Sequence, residues 1–109
     1  MAAIQNIVID QGTTYSLVIS MTNLDGTAKD ISSYSVSAQM RKSYYSNTYT
    51  AFTAEKTDAV NGEITISLTA TQTGALKAGR YVYDLEAASD DETIRVLEGI
   101  ITVTPEVTR

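Results

Sequence analysis

The chain has 109 residues, 43% hydrophobic and 19% charged, with a formal net charge of −5. This is the composition of one ordinary globular domain spanning residues 1–109, and no apolar run approaches the ~20 residues of a spanning helix. The acidic balance and the scattered basic residues argue against nucleic acid as the main partner, the absence of cysteine excludes disulfides and thiolate metal sites, and the absence of histidine removes the commonest general base and zinc ligand.

The start, Met1-Ala2-Ala3-Ile4-Gln5-Asn6, has neither a basic segment nor a long apolar one, so we expect no secretory leader and synthesis in a cytoplasm. Ile4 to Asp10 reads as a first strand, closed by the turn dipeptide Gln11-Gly12. Tyr15, Leu17, Ile19 and Met21 then alternate with a polar set that only Val18 interrupts, up to the turn at Asp25-Gly26. Tyr34, Val36, Ala38 and Met40 alternate with Ser35, Ser37, Gln39 and Arg41. A two-residue period is that of a strand with one face buried and one solvated. Thr48 to Thr53 is a weaker strand, followed by the turn Asn61-Gly62 and the alternating Ile64, Ile66 and Leu68.

Thr69 to Leu76 is the only candidate helix. Thr69 or Thr71 can cap it, and Gly74 and Gly79 limit it to one or two turns. Tyr81, Tyr83 and Leu85 alternate with Arg80, Asp84 and Glu86. After the acidic connection Ala88 to Glu92, a long last strand runs to Pro105, the only proline. Glu98-Gly99 interrupts its alternation, which predicts a bulge there. These elements predict an all-β fold, an immunoglobulin-like antiparallel β-sandwich of about seven strands with one short helical turn; a small barrel is the alternative. Tyr81, two residues after a turn glycine at a strand start, stands where such sandwiches fold a tyrosine under the corner and bond its hydroxyl to nearby backbone. An ordinary inward-facing aromatic is the other reading, and both are structural.

Candidate chemistry is sparse. Asp84 and Glu86 share one strand face, and paired carboxylates can exchange protons when a cleft raises one pKa; a solvated sheet face accounts for them better. Asp90-Asp91-Glu92, with Asp25 or Asp58, offers oxygens to calcium without the spacing of a known loop, and a charged hairpin tip explains it better. No Gly-x-Ser-x-Gly elbow and no phosphate-cradling glycine loop occurs. We therefore expect no enzyme activity and no cofactor. Tyr44, Tyr45 and Tyr49 crowd the connection Ser43 to Thr50 behind the basic pair Arg41-Lys42, a composition of protein interfaces and sugar-binding surfaces.

Three ordered pieces carry a family resemblance. They are Ile9-Asp10-Gln11-Gly12-Thr13-Thr14-Tyr15 with Asp25-Gly26-Thr27-Ala28-Lys29-Asp30-Ile31-Ser32-Ser33-Tyr34; Gly62 to Thr73 with Leu76 and Gly79 to Leu85; and Gly99 to Val103 with Pro105 and Val107-Thr108-Arg109. In order and spacing the chain resembles the small β-sandwich virion proteins of tailed bacteriophages, those of cyanobacterial phages in particular, a group that includes baseplate upper-protein N-terminal domains and tail collar proteins. The resemblance implies a structural subunit located in the virion, with other virion proteins and copies of itself as partners and neither nucleic acid nor membrane. In baseplate proteins a receptor-binding module follows the sandwich, whereas this chain stops at Arg109, which implies an adaptor, collar or fibre-attachment role in the tail. A capsid decoration (cement) protein is the alternative, and a carbohydrate-binding module using Tyr44, Tyr45 and Tyr49 a further one.

Sheet edges and terminal segments are the expected docking elements, with Met1 to Ile9 and Pro105 to Arg109 foremost. The run Ile94, Val96, Leu97, Ile100, Ile101 and Val103 holds more apolar residues than one inward face buries, so either Ile100 or Ile101 is expected to point away from the core and to join an interface.

Overall fold

The computed structural model describes residues 3–108. Among them nine strands form two facing sheets: β1 (Ala3–Ile4), β2 (Ile7–Asp10), β3 (Tyr15–Ser20), β4 (Ser35–Arg41), β5 (Thr50–Ala51), β6 (Thr53–Asp58), β7 (Glu63–Leu68), β8 (Gly79–Ala88) and β9 (Thr93–Thr104). One 3₁₀ turn, Ala59–Asn61, and one helix, α1 (Ala70–Gly74), are the other elements among the described residues. The larger sheet has the order β1-β9-β8-β4-β5, with β2 also on β9, and the smaller one β3-β7-β6. Taking β1 with β2 and β5 with β6 as interrupted strands leaves seven positions, the arrangement of an immunoglobulin-like sandwich.

The alternation of the sequence is what the sheets bury. Ile64, Ile66 and Leu68 of β7 face Leu85 of β8 and Ile101 and Val103 of β9 across one core, all of them buried. The helical turn forms where the sequence places it. Thr69 accepts from the Gln72 N–H at 3.2 Å while the Gln72 side chain accepts from the Thr69 N–H at 2.8 Å, a reciprocal cap. The fully buried Thr73 donates its hydroxyl to the Thr13 carbonyl at 2.7 Å, tying the turn to the β2–β3 connection. Tyr81 completes the corner: its hydroxyl donates to the Lys77 carbonyl at 2.8 Å, and the Lys42 ammonium lies 4.7 Å from its ring centroid.

Three local expectations are corrected. The first strand is broken at Gln5–Asn6, and both halves pair parallel to β9, not antiparallel. Alternation reports which side chains face inward; it carries no information on strand direction. The second correction concerns the bulge. Leu85 pairs with Leu97 but Glu86 with Arg95, so Val96 is the extra residue, while Glu98 and Gly99 sit in regular register opposite Asp84 and Tyr83. Gly99 is glycine because a Cβ there would lie 2.2 Å from the Gln5 carbonyl oxygen. At that crossing the Gln5 N–H donates to Glu98 (2.9 Å), the Ile100 N–H donates to the Asn6 side chain (3.1 Å), and the Tyr83 hydroxyl donates to the Gln5 carbonyl (2.5 Å).

Third, the weak strand expected over Thr48 to Thr53 is two strands in different sheets. β5 pairs with β4, β6 pairs with β7, and the chain changes sheets at Phe52, whose buried ring lies 6.4 Å from that of Tyr83. The expected docking segment Met1 to Ile9 keeps Ile4 and Val8 exposed. Its described part is built into the larger sheet, with Ile7 and Ile9 in the core.

Candidate functional site

The outer face of the larger sheet collects the polar residues of three central strands in rows fixed by register. Ser37, Glu86 and Arg95 form one row, Gln39, Asp84 and Glu98 the next, and Arg41, Val82 and Ile100 the third. With Tyr44 overhanging from the β4–β5 loop, these rows, Ile100 excepted, line an open groove of about 370 Å³. Burial pushes the Asp84 carboxyl above the usual carboxylate range, and neighbouring Glu86 and Glu98 add to it. Arg95, whose Nε lies 3.4 Å from the Asp84 carboxylate, and Arg41 pull the other way. The groove thus presents alternating carboxylates and guanidinium groups, able to hydrogen-bond a polar ligand or a polar protein surface. Among the described residues no cluster of three or more His, Cys, Asp or Glu side chains is placed to hold a metal ion, and no helix is long and apolar enough to cross a membrane.

The tyrosine loop divides into two parts. The Arg41 guanidinium stands 4.8 Å from the Tyr49 ring centroid, donates to the Ser46 carbonyl at 2.6 Å and to the Gln39 side chain at 3.0 Å, and so holds the loop to its strand. Tyr44 and Tyr45 are exposed, and Tyr44 alone of the three lines the groove. Lys42 is engaged with Tyr81, so the basic pair serves the loop and the corner.

The remaining candidates separate cleanly. Ile101 is 0% exposed and belongs to the core, which removes it as a surface contact, whereas Ile100 is 39% exposed on the outer face. Pro105 is exposed just beyond the end of β9, and Arg109 lies outside the described residues. Three of the acidic groups considered for calcium are engaged by other side chains. Glu92 accepts from the Tyr34 hydroxyl, Asp58 from Asn61, and Asp25 from the Thr27 hydroxyl and N–H, which lowers the Asp25 pKa.

Sequence reasoning did not single out the apolar strip beside the groove. Ile4 pairs with Glu98 and Val8 with Thr102, placing both side chains on the same outer face as Ile100 and Val82. Ile4 and Val8 are exposed. The unbroken apolar run Ile7-Val8-Ile9 was the available signal, because its middle residue must face away from the core.

No family model matches the chain, and no curated protein does. Solved structures share its fold. The chain is similar to the endo-beta-1,4-mannanase from Thermotoga petrophila (13% identity, TM-score 0.54), with 94% of this chain on 18% of that one. It is similar to Listeria monocytogenes InlP (13%, 0.52), with 94% of this chain on 28% of that one. It is also similar to CopC from Methylosinus trichosporium OB3b (14%, 0.50), with 94% of this chain on 89% of that one. The chain therefore spans a small part of the first two proteins, and at these identities the likeness shows the sandwich fold alone.

Proposed function

We propose that this protein is a non-enzymatic assembly module, a structural subunit of a tailed-phage virion that acts in the tail as an adaptor, collar or fibre-attachment part. The virion assignment rests on the ordered turn and strand motifs of the sequence. The observation that carries the assembly role is the outer face of the larger sheet, where the exposed Ile4, Val8 and Ile100 and the half-buried Val82 form a strip beside a polar groove. An apolar strip flanked by hydrogen-bonding groups is the make-up of a protein interface, and a specific contact needs roughly 800 Å² from each partner. Proteomics and immunogold labelling of purified virions test the reading, and absence from mature particles overturns it. A copy number matching a tail ring supports the tail; one scaling with capsid facets shifts the assignment to a decoration protein.

One observation favours a second reading, a carbohydrate-binding module. Tyr44 overhangs a groove carrying Gln39, Asp84, Glu86 and Arg95, a combination of ring and bidentate polar groups suited to a sugar. A glycan array with the native protein and Tyr44→Ala is the discriminating measurement; retained glycan binding in Tyr44→Ala removes this reading.

A further inference from the structure

Each sheet exposes two edges, and three of the four are guarded. β5 has only two residues, β6 carries Glu55, Lys56 and Asp58 with a register break between Glu55 and Asp58, and the β1–β2 edge is broken at Gln5–Asn6 and ends at Asp10. Short strands, charges and bulges are the devices by which folded proteins discourage strand addition. The fourth edge, β3, has none of them. Tyr15–Ser20 pairs with β7 over six consecutive residues without a shift, and contains no charge, proline or glycine. It lies within the longest uncharged stretch of the chain, Gln11 to Leu24.

We propose that the open edge of β3 pairs antiparallel with β3 of a second copy of this chain, joining two smaller sheets into one. This rests on the reading of the protein as an assembly module and names the surface and partner for one of its contacts. The Met21 N–H donates toward the β7 side, to the Gly62 carbonyl at 2.9 Å, so strand alternation turns the N–H and C=O groups of Ser16, Val18 and Ser20 to the open edge. A two-fold axis at Val18 places Val18 opposite Val18, Ser16 opposite Ser20, Leu17 opposite Ile19 and Tyr15 opposite Met21. Apolar meets apolar and serine meets serine on the correct faces, whereas a one-residue slip would set inward Leu17 against outward Val18.

Two further observations select a copy of the chain as occupant. The inward residues Tyr15, Leu17 and Ile19 are only half-buried, while their neighbours Ile64, Ile66 and Leu68 on β7 are fully buried, so apolar surface is left at this edge. A chain of net charge −5 repels its own copy except through an uncharged strip, and β3 supplies one. The outward side chain at the axis, Val18, is 57% exposed and accessible to a partner. A six-residue edge spans about 20 Å, so the contact is small and is strengthened by tethering in an assembly.

Sedimentation velocity of the full chain from about 1 µM to about 500 µM, the range expected of a small interface, is the test. The native protein is expected to shift from monomer to dimer, and Val18→Lys, whose side chain faces solvent in the monomer, to stay monomeric at every concentration with an unchanged melting temperature when dilute. Hydrogen exchange at Ser16, Val18 and Ser20 slows in the concentrated native sample and not in the variant. A native protein monomeric throughout, or a Val18→Lys variant that dimerises like the native one, overturns the β3 pairing. If Ile100→Lys abolishes the dimer and Val18→Lys does not, self-association runs through the larger sheet: the assembly role stands and this edge is rejected.

Discussion

The two sheets of this sandwich solve the problem of their edges differently. Where the larger sheet receives the start of the chain, the strand is split, a glycine admits the Gln5 carbonyl, and the Asn6 side chain and Tyr83 hydroxyl satisfy the groups that the break frees. Where the smaller sheet ends at β3, the pairing is regular to the last residue and nothing discourages a further strand. The larger sheet spends its specificity on closing itself and displays rows of charge on its outer face; the smaller one leaves a self-complementary edge. The difference teaches that regularity is not the same as completeness. The irregular edge is the finished one.

Substitutions at the two regions sharpen that contrast. The largest effect is expected at the core beneath the closed edge: Ile101→Ala costs about 2–5 kcal/mol in urea unfolding, while Ile100→Ala, one residue away on the outer face, changes stability by no more than about 0.5 kcal/mol. Equal losses at both positions would contradict the placement of the two isoleucines. Next is Gly99→Ala, whose methyl group must displace the Gln5 backbone; a loss of about 1–3 kcal/mol is expected, with faster hydrogen exchange at Gln5 and Ile100 and none at Ser16 to Ser20.

Tyr83→Phe removes one buried hydrogen bond to Gln5 and is expected to cost about 1 kcal/mol at pH 7. Burial, with Tyr15 nearby, pushes the Tyr83 phenol up to about 12 from an ordinary value of 10.0. Its neutral form is thus favoured by folding. The stability this gives is complete below pH 10 and lost as pH rises towards 12. A denaturation series over that window should show a steeper alkaline decline in the native protein than in Tyr83→Phe.

The smallest effect is at the groove. Asp84 is held above its ordinary value of 3.8, so its charge opposes folding at neutral pH. Asp84→Asn is expected to raise the melting temperature slightly at pH 7, with the gain vanishing once pH falls below 3.8, where the carboxyl is neutral in the unfolded chain too. A gain independent of pH would show that charge is not its origin.

Much of the fold was legible because it depends on local signals. The turn glycines Gly12, Gly26 and Gly62 all adopt positive φ, the cap at Thr69 forms, and Tyr81 finds backbone at the corner. What was not legible depends on partners distant in sequence. A glycine in a strand marks either a bulge or a close backbone approach, and only the position of Gln5 decides that Gly99 is the second. Strand direction leaves no mark on alternation, so the parallel pairing of the first and last strands was invisible. The groove is likewise a product of register: Asp84 and Glu86 were visible as a pair, but Glu98 joins them by lying opposite Asp84, and Arg95 only because β9 contributes the extra residue Val96. The tyrosine loop was recognised by composition, while the division between braced Tyr49 and overhanging Tyr44 is set by Arg41.

The parallel seam between β2 and β9 has a mechanical consequence. Tension applied through the chain before β2 and after β9 draws the two strands in opposite senses along their shared axis, so the contacts from Ile7–Ile101 to Asp10–Thr104 are sheared together and do not peel open one by one. Gln11 reinforces the end of this seam, donating its side-chain N–H to the Leu76 carbonyl at 2.7 Å and accepting from the Glu106 N–H at 2.9 Å. A load carried from one end of the chain to the other therefore meets a clamp and not a zipper, and the sandwich resists being drawn out along the direction in which its own strands run.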